Sequence, residues 1–231
     1  MEEKNNLFLT DTHAHLASSR FGDDLDEVIL RARENGVERI ISISCDMEDC
    51  LFNTALAEKN AGIFAAIGIH PSYVHEIEGG VEGHEWSEKL RTLANHPKIC
   101  AIGEIGLDYF HPPGDGGSET DWRAKQRVVF EKQLEIARNV NLPVVVHQRE
   151  SAADTMAVLR NFSGIRAVLH CFGGTHDEAE EALSLGHYIS FTGILTFSKA
   201  ESVREVARSI PFDRVMVETD CPYLAPVPFR G

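Results

Sequence analysis

A (β/α)8 barrel is the fold class that this sequence predicts, and three observations predict it. Eight short apolar runs punctuate the 231-residue chain: LFLTDTH, RIISISC, IFAAIGIH, ICAIGEIG, PVVVHQR, RAVLHCF, YISFTGIL and RVMVETD. Amphipathic stretches lie between them. Polar residues of the kind that bind metals recur at the C-terminal ends of the runs. Near-continuous apolar strands suit a parallel sheet covered on its faces. Strand and helix alternating without a linker is the rhythm of one α/β domain, here residues 1–231. An open doubly wound sheet shares the first two observations and stands as the alternative.

The intervening stretches have helical spacing. Residues 23–35 place Leu25, Val28, Ile29 and Ala32 on one face, and residues 122–140 do the same with Val129, Leu134, Ile136 and Ala137. Residues 152–159, 177–185 and 199–210 read similarly. Gly36, Gly62, Gly164 and Gly186 fall where helix C-terminal turns should end. The one long Gly/Pro-rich loop, HPPGDGGSETD over residues 111–121, follows the fourth strand on the side where barrel active sites sit. The chain stops eleven residues past Asp220, at Gly231, without the eighth helix of a closed barrel. That predicts exposed apolar surface between the first and seventh helices.

Composition narrows the function classes. With 43% hydrophobic and 25% charged residues, the chain has the make-up of a soluble globular protein. The opening MEEKNN lacks the basic and apolar regions of a secretory signal, and no run is long enough to span a membrane. Five scattered cysteines without a C-x-x-C pair fit a reducing, cytoplasmic setting. A net charge of −14 argues against a general duplex binder. It leaves room for an enzyme that meets nucleic acid at a cation-lined cleft, since bound cations reverse the local field. No membrane and no obligate protein partner is expected.

The chemistry sits at the strand ends. In LFLTDTHAHL, Asp11, His13 and His15 alternate, so they share one face of the first strand. The third strand ends in His70, the fourth carries Glu104, and the fifth ends in His147 with Arg149 two positions on. The sixth ends in His170 and the eighth in Asp220. Each histidine alone is an ordinary polar residue, and Glu104 alone could pair with an arginine. A barrel brings all these ends to one mouth. His13, His15, Glu104, His147, His170 and Asp220 are then a set of divalent-metal ligands. Six ligands exceed the need of one catalytic ion. The natural partition gives His13, His15 and Asp220 to one cation and His147 and His170 to a second, with Glu104 bridging. Two such ions about 3.5–4 Å apart clamp the attacking and leaving oxygens of a displacement and acidify water. Asp220 is ligand, general base or both. The role of Asp11 stays open.

The blocks TDTHAHL, GIHP, GEIGLDY, PVVVHQRE, LHCFGG, YISFTGILTF and ETDCPYLAPVPFRG resemble, in order and across nearly the whole chain, the signatures of the TatD family of metal-dependent deoxyribonucleases. The resemblance implies an amidohydrolase-type TIM barrel, two divalent cations and hydrolysis of DNA phosphodiesters, often from the 3′ end. It places the metal ligands on the same six residues. The chain departs from the family in lacking the closing helix beyond PFRG, in a longer 111–121 loop, and in Cys221, where small residues are common.

Other residues stand near the expected mouth. Arg149 and His70 are candidate substrate-binding groups that could hold a phosphate or orient water, with an Arg149 salt bridge to Glu150 or Asp154 as the alternative. Asp108 either fixes a ligand histidine or caps its loop. Tyr73, Tyr109 and Phe110 are candidates for stacking on bases or for packing. Cys171, next to His170, should face the other way and pack. The remaining histidines (His75, His84, His96, His111, His176 and His187) receive no role.

The leading expectation is thus a metal-dependent hydrolase of DNA, a 3′-end exonuclease on single strands, with Asp220 and Glu104 as catalytic groups. A second is a hydrolase of a small ester, amide or aminoacyl-tRNA ester on the same architecture. A third is a non-catalytic metal-binding protein. Four histidine ligands favour Zn2+ or Mn2+ over Mg2+, which remains possible.

Overall fold

The computed structural model describes residues 8–111 and 117–230. Eight parallel strands follow one another around the molecule in sequence order: β1 (Leu9–Ala14), β2 (Val37–Ile43), β3 (Ile63–Ile67), β4 (Ile99–Asp108), β5 (Val144–Arg149), β6 (Ala167–Leu169), β7 (Tyr188–Phe191) and β8 (Val215–Val217). An open doubly wound sheet would reverse that order part-way. The unbroken order makes this a (β/α)8 barrel. Among the described residues seven α-helices connect the strands: α1 (Leu25–Glu34), α2 (Met47–Lys59), α3 (Glu85–Leu93), α4 (Glu119–Val140), α5 (Ala152–Asn161), α6 (His176–Ser184) and α7 (Glu201–Ser209). The main apolar core lies between the β3–β7 strands and their helices, with Phe130, Leu134, Ile102 and Leu107 fully buried.

Helices α1 and α4 to α7 fall where the apolar spacing puts them, with ends displaced by a few residues. Residues 22–24 form a 3-10 turn rather than the first turn of α1. Helix α2 shows no apolar stripe in its sequence for a physical reason. Its buried face is Cys50, Asn53, Thr54 and Ala57, while Leu51 and Phe52 are exposed. The buried amide is satisfied, because Ser42 donates to Asn53 Oδ1 at 2.6 Å and Asn53 donates to Ser44 at 3.0 Å. Gly36, Gly164 and Gly186 have φ near +90°, the left-handed value that ends a helix without Cβ strain. Of the 111–121 loop, residues 112–116 lie outside the described residues. Glu119 and Asp121 belong to the first turn of α4, capped by Ser118.

The junctions between strands differ in a way that matters for the site. At β4–β5 the ladder runs from Ile102↔Val144 to Asp108↔Arg149, with an irregularity between Ile102 and Ile105. A side chain at Gly106 (φ +139°) would collide with the His147 carbonyl, so glycine lets the two backbones close up. At β8–β1 the described residues show one isolated bridge, Ala14↔Cys221. The His15 amide donates to the Cys221 carbonyl at 2.7 Å, and the Asp220 amide to His13 at 2.8 Å. Side chains complete the closure. Asp11 Oδ1 accepts from the Thr219 amide at 3.0 Å, and Oδ2 accepts from the Thr219 hydroxyl at 2.6 Å. Burial pushes the Asp11 carboxyl up, against the pull of its Thr219 and His13 donors. The residue left without a role by the sequence is thus the latch that ties β8 to β1. Away from this latch, apolar side chains stand exposed: Phe8, Leu30, Phe212 and Val217. No helix follows β8 among the described residues, and none of the described helices is long and apolar enough to cross a membrane.

Candidate metal centre

All six residues that the sequence nominates as ligands converge at the C-terminal mouth of the barrel. Glu104 lies at their centre, 2% exposed, and its two oxygens face different partners. Oε2 lies 3.4 Å from His13 Nε2 and 3.7 Å from His15 Nε2. Oε1 lies 2.8 Å from His147 Nδ1 and 2.6 Å from His170 Nε2. Asp220 Oδ1 joins the first side, 3.5 Å from His13 Nε2 and 3.2 Å from His15 Nε2. Each oxygen of one carboxylate therefore meets its own pair of imidazoles, which is the donor arrangement a bridging ligand requires. The donor set is nitrogen-rich with two carboxylates, and it suits divalent transition metals. The residues could hold one cation among His13, His15 and Asp220 and another between His147 and His170, with Glu104 common to both.

His70 also reaches the centre, with Nε2 3.6 Å from Glu104 Oε1. Its tautomer is set by the backbone. The Ser72 amide donates to His70 Nδ1 at 3.1 Å. An amide can only donate, so Nδ1 carries the lone pair and Nε2 carries the proton. The nitrogen that faces Glu104 is a donor, which separates His70 from the candidate ligand histidines. Burial, with His147 alongside, pushes its pKa down to about 3, so the ring is neutral.

The site is electrostatically coupled. Burial alone would raise the Glu104 carboxyl, but His170, His70, His13 and His147 outweigh it and hold the group well below the carboxylate range. Burial would likewise lower His170, but Glu104 and Glu218 carry it well above the usual imidazole value. His147 is raised against burial by Asp108 and Glu104. His15 is raised against burial by Asp220 and Glu104. Asp108 is held down by His147 and His111 despite its own burial.

Around this centre opens a cleft of about 1920 Å³. Its lining is acidic at Asp46, Glu48, Asp49, Glu150, Glu178 and Glu205, and Arg149 is its one arginine or lysine among the described residues. Arg149 makes no ion pair with Glu150 or Asp154. Its guanidinium lies over the Phe110 ring at 3.8 Å, and Asp154 instead accepts from the Tyr109 hydroxyl at 2.7 Å. Tyr109 is therefore tied into the wall. Tyr73 lines the cleft, and Phe110 is half exposed beneath the Arg149 guanidinium. Asp108 does both things foreseen for it. Oδ2 lies 3.2 Å from His147 Nε2, while Oδ1 accepts the amides of Phe110 and His111 at 3.0 Å each.

Four neighbours of the centre escaped the sequence reading. Glu218 lies 3.5 Å from His170 Nδ1, just past β8 and two residues before Asp220. Cys45 Sγ lies 3.6 Å from His15 Nδ1, at the end of β2. Cys171, expected to pack away from the mouth, instead has φ +46° and lines it, and its amide donates to Glu218 at 2.6 Å. His111 reaches Asp108 from its loop, with Nδ1 2.8 Å from Oδ2, and nothing in its sequence context signals that contact.

A parallel barrel with this donor set at its mouth defines the class, a metal-dependent hydrolase. Comparison with known proteins gives the family. Residues 10–231 match the profile of the TatD-related DNases. The chain is 38% identical to the uncharacterized metal-dependent hydrolase YabD of Bacillus subtilis, over 96% of this chain and 84% of that protein. It is 35% identical to the 3′-5′ ssDNA/RNA exonuclease TatD of Cronobacter turicensis, over 94% of this chain and 79% of that protein. The crystal structure of YjjV, a TatD homologue from Escherichia coli, superimposes with a TM-score of 0.86 at 29% identity, covering 96% of this chain and 83% of that one. The chain belongs to the TatD-related DNase family.

Proposed function

We propose that this hydrolase cleaves phosphodiester bonds of DNA from the 3′ end of single strands. The observation that carries the reading is the division of labour at Glu104, one carboxylate oxygen toward His13 and His15 and the other toward His147 and His170. His13, His15 and Asp220 would hold one divalent cation, His147 and His170 a second, and Glu104 both; nitrogen-rich donors favour Zn2+ or Mn2+ over Mg2+. When bound, such a pair polarises a phosphoryl oxygen and makes water acidic enough to react near neutral pH.

The chain's own groups do the rest. Asp220, whose Oδ1 faces the two β1 histidines, takes the proton of the attacking water at its other oxygen. His70 offers Nε2–H, fixed in place by Ser72, to an oxygen of the scissile phosphate, where developing charge strengthens the hydrogen bond. Arg149, flattened on Phe110, pairs with a neighbouring phosphate at the rim. Phe110 and Tyr73 provide apolar faces for bases. The acidic lining repels a long polyanion and favours a strand end that enters the cleft with few phosphates.

That same acidic lining, with Arg149 as its one arginine or lysine, favours a second reading, in which the substrate is an uncharged ester or amide or an aminoacyl-tRNA ester. The test is hydrolysis of a 3′-labelled single-stranded oligonucleotide by metal-free protein titrated with Mn2+, Zn2+ and Mg2+. RNA, an aminoacyl ester and small esters run alongside, and Glu104→Ala is the control. Metal-dependent shortening from the 3′ end that vanishes in the control is the expected result. Turnover of an ester with inertness toward DNA would reverse the assignment.

A further inference from the structure

We propose that Glu218 is a positioning residue that fixes the tautomers of His13 and His170, one ligand from each side of Glu104, and thereby sets the affinity of the centre for its cations. The inference rests on the metal-centre reading above and adds to it a residue outside the ligand set.

The argument begins with the ring nitrogens that face away from Glu104. A ligand imidazole must present a lone pair to the cation, so its proton must sit on the other nitrogen and needs an acceptor there. His147 has one, since its Nε2 lies 3.2 Å from Asp108 Oδ2. His15 turns Nδ1 to the Cys45 sulfur at 3.6 Å. The outward Nδ1 atoms of His13 and His170 are buried and make no hydrogen bond among the described residues. Both rings stack nearly parallel, with centroids 4.0 Å apart and an 11° tilt. The acidic group beside this stack is Glu218. Its Oε1 lies 3.5 Å from His170 Nδ1, and one ring nitrogen of each histidine and a Glu218 oxygen lie within 4.8 Å of one another.

Glu218 is itself held in place. It is 8% exposed, Oε2 accepts from the Ser190 hydroxyl at 2.7 Å, and Oε1 accepts from the Cys171 amide at 2.6 Å. Burying a carboxylate is costly unless it meets charge or donors. Two imidazole N–H groups that need an acceptor supply that need. A short shift of the rings, or one bridging water, joins both Nδ1–H groups to the carboxylate. A negative charge there keeps both protons on Nδ1, leaves both Nε2 lone pairs toward Glu104, and raises the basicity of both ligands.

The test reads tautomers and affinity rather than turnover. In the wild-type protein loaded with Zn2+, long-range 1H–15N correlation should show His13 and His170 protonated at Nδ1 and bare at Nε2. An Nε2–H tautomer at either residue would overturn the proposal without any variant. Glu218→Gln retains oxygen for Ser190 or Cys171 and should weaken Zn2+ binding about 10–100-fold by equilibrium dialysis. Ser190→Ala frees one carboxylate oxygen and should weaken it less. Folded Glu218→Gln protein with wild-type Zn2+ affinity would contradict the proposal. Glu104→Gln separates the two readings. Loss of Zn2+ in Glu104→Gln but not in Glu218→Gln removes Glu218 and leaves the metal centre standing. Unchanged Zn2+ binding in Glu104→Gln removes the metal centre itself.

Discussion

The mouth of this barrel is closed at two junctions by two different means. Between β4 and β5 the ladder pairs Ile102 with Val144 and, past an irregularity at Gly103 and Glu104, runs from Ile105↔Val146 to Asp108↔Arg149; it carries His147, with Glu104 at the irregularity. Between β8 and β1 the strands meet at the bridge Ala14↔Cys221 and two backbone hydrogen bonds, and side chains supply further ties, the Asp11 carboxylate to Thr219 and the Thr12 hydroxyl to the Val217 carbonyl. This second junction carries His13, His15 and Asp220. Glu104 and His147 thus sit on strands paired along most of their length, whereas His13, His15 and Asp220 sit at a junction with one bridge, two backbone hydrogen bonds and a few side-chain ties, the Asp11 carboxylate foremost. The difference predicts that substitutions of residues that are not themselves ligands loosen the centre more at β8–β1 than at β4–β5.

Glu104 serves both junctions, so its loss should have the largest effect. Glu104→Ala is expected to lower hydrolysis by roughly a thousandfold or more, equivalent to about 4 kcal/mol of transition-state stabilisation, in a steady-state assay at saturating cation. Next comes the latch. Asp11→Ala strands the Thr219 amide and hydroxyl without their acceptor. It should cost about 3 kcal/mol in urea unfolding and weaken cation binding with it, because Asp220 follows Thr219 directly. Asp11→Asn keeps a carbonyl oxygen for the backbone amides, and the Thr219 hydroxyl can turn to accept, so the cost should fall to about 1 kcal/mol. Equal losses for the two variants would show that the charge, and not the hydrogen-bond geometry, holds β8.

Cation removal should separate the junctions more gently. Stripping the ions removes a stabilisation of about 2.7 kcal/mol for each ion at a hundredfold excess over its Kd, seen as a lower Tm. Hydrogen exchange should then quicken at the Thr219, Asp220 and Cys221 amides while the β4–β5 ladder stays protected. Uniform acceleration would mean that the two junctions open together. The smallest expected effect is at Cys45, where Cys45→Ser exchanges a weak sulfur contact to His15 for a hydroxyl. Cation affinity should change by less than about tenfold in equilibrium dialysis.

The sequence carried the barrel and its six converging residues because both are written in simple periods. Apolar runs end in His, Glu or Asp, and strand alternation puts His13 and His15 on one face. What escaped was set by tertiary packing. Helix α2 hides a polar Asn53 and Thr54 inside and leaves Leu51 and Phe52 outside, which inverts the usual pattern. Asp11 gains its meaning only when Thr219, two hundred residues away, arrives beside it. His70 looks like another strand-end ligand, and only the Ser72 amide on Nδ1 shows it to be a donor. Glu218 lies only two residues from Asp220, but both stand past the end of β8, where Asp220 has φ +59° and strand alternation no longer says which way a side chain faces. The buried place of Glu218 beneath the histidine stack was therefore not legible.

The most direct test of the account is anomalous scattering from crystals grown with Zn2+ or Mn2+. Two peaks are predicted, one among Glu104 Oε2, His13, His15 and Asp220 and one among Glu104 Oε1, His147 and His170. A single peak, or peaks that leave Glu104 outside coordination distance, would contradict the bridged centre on which the proposed hydrolysis rests.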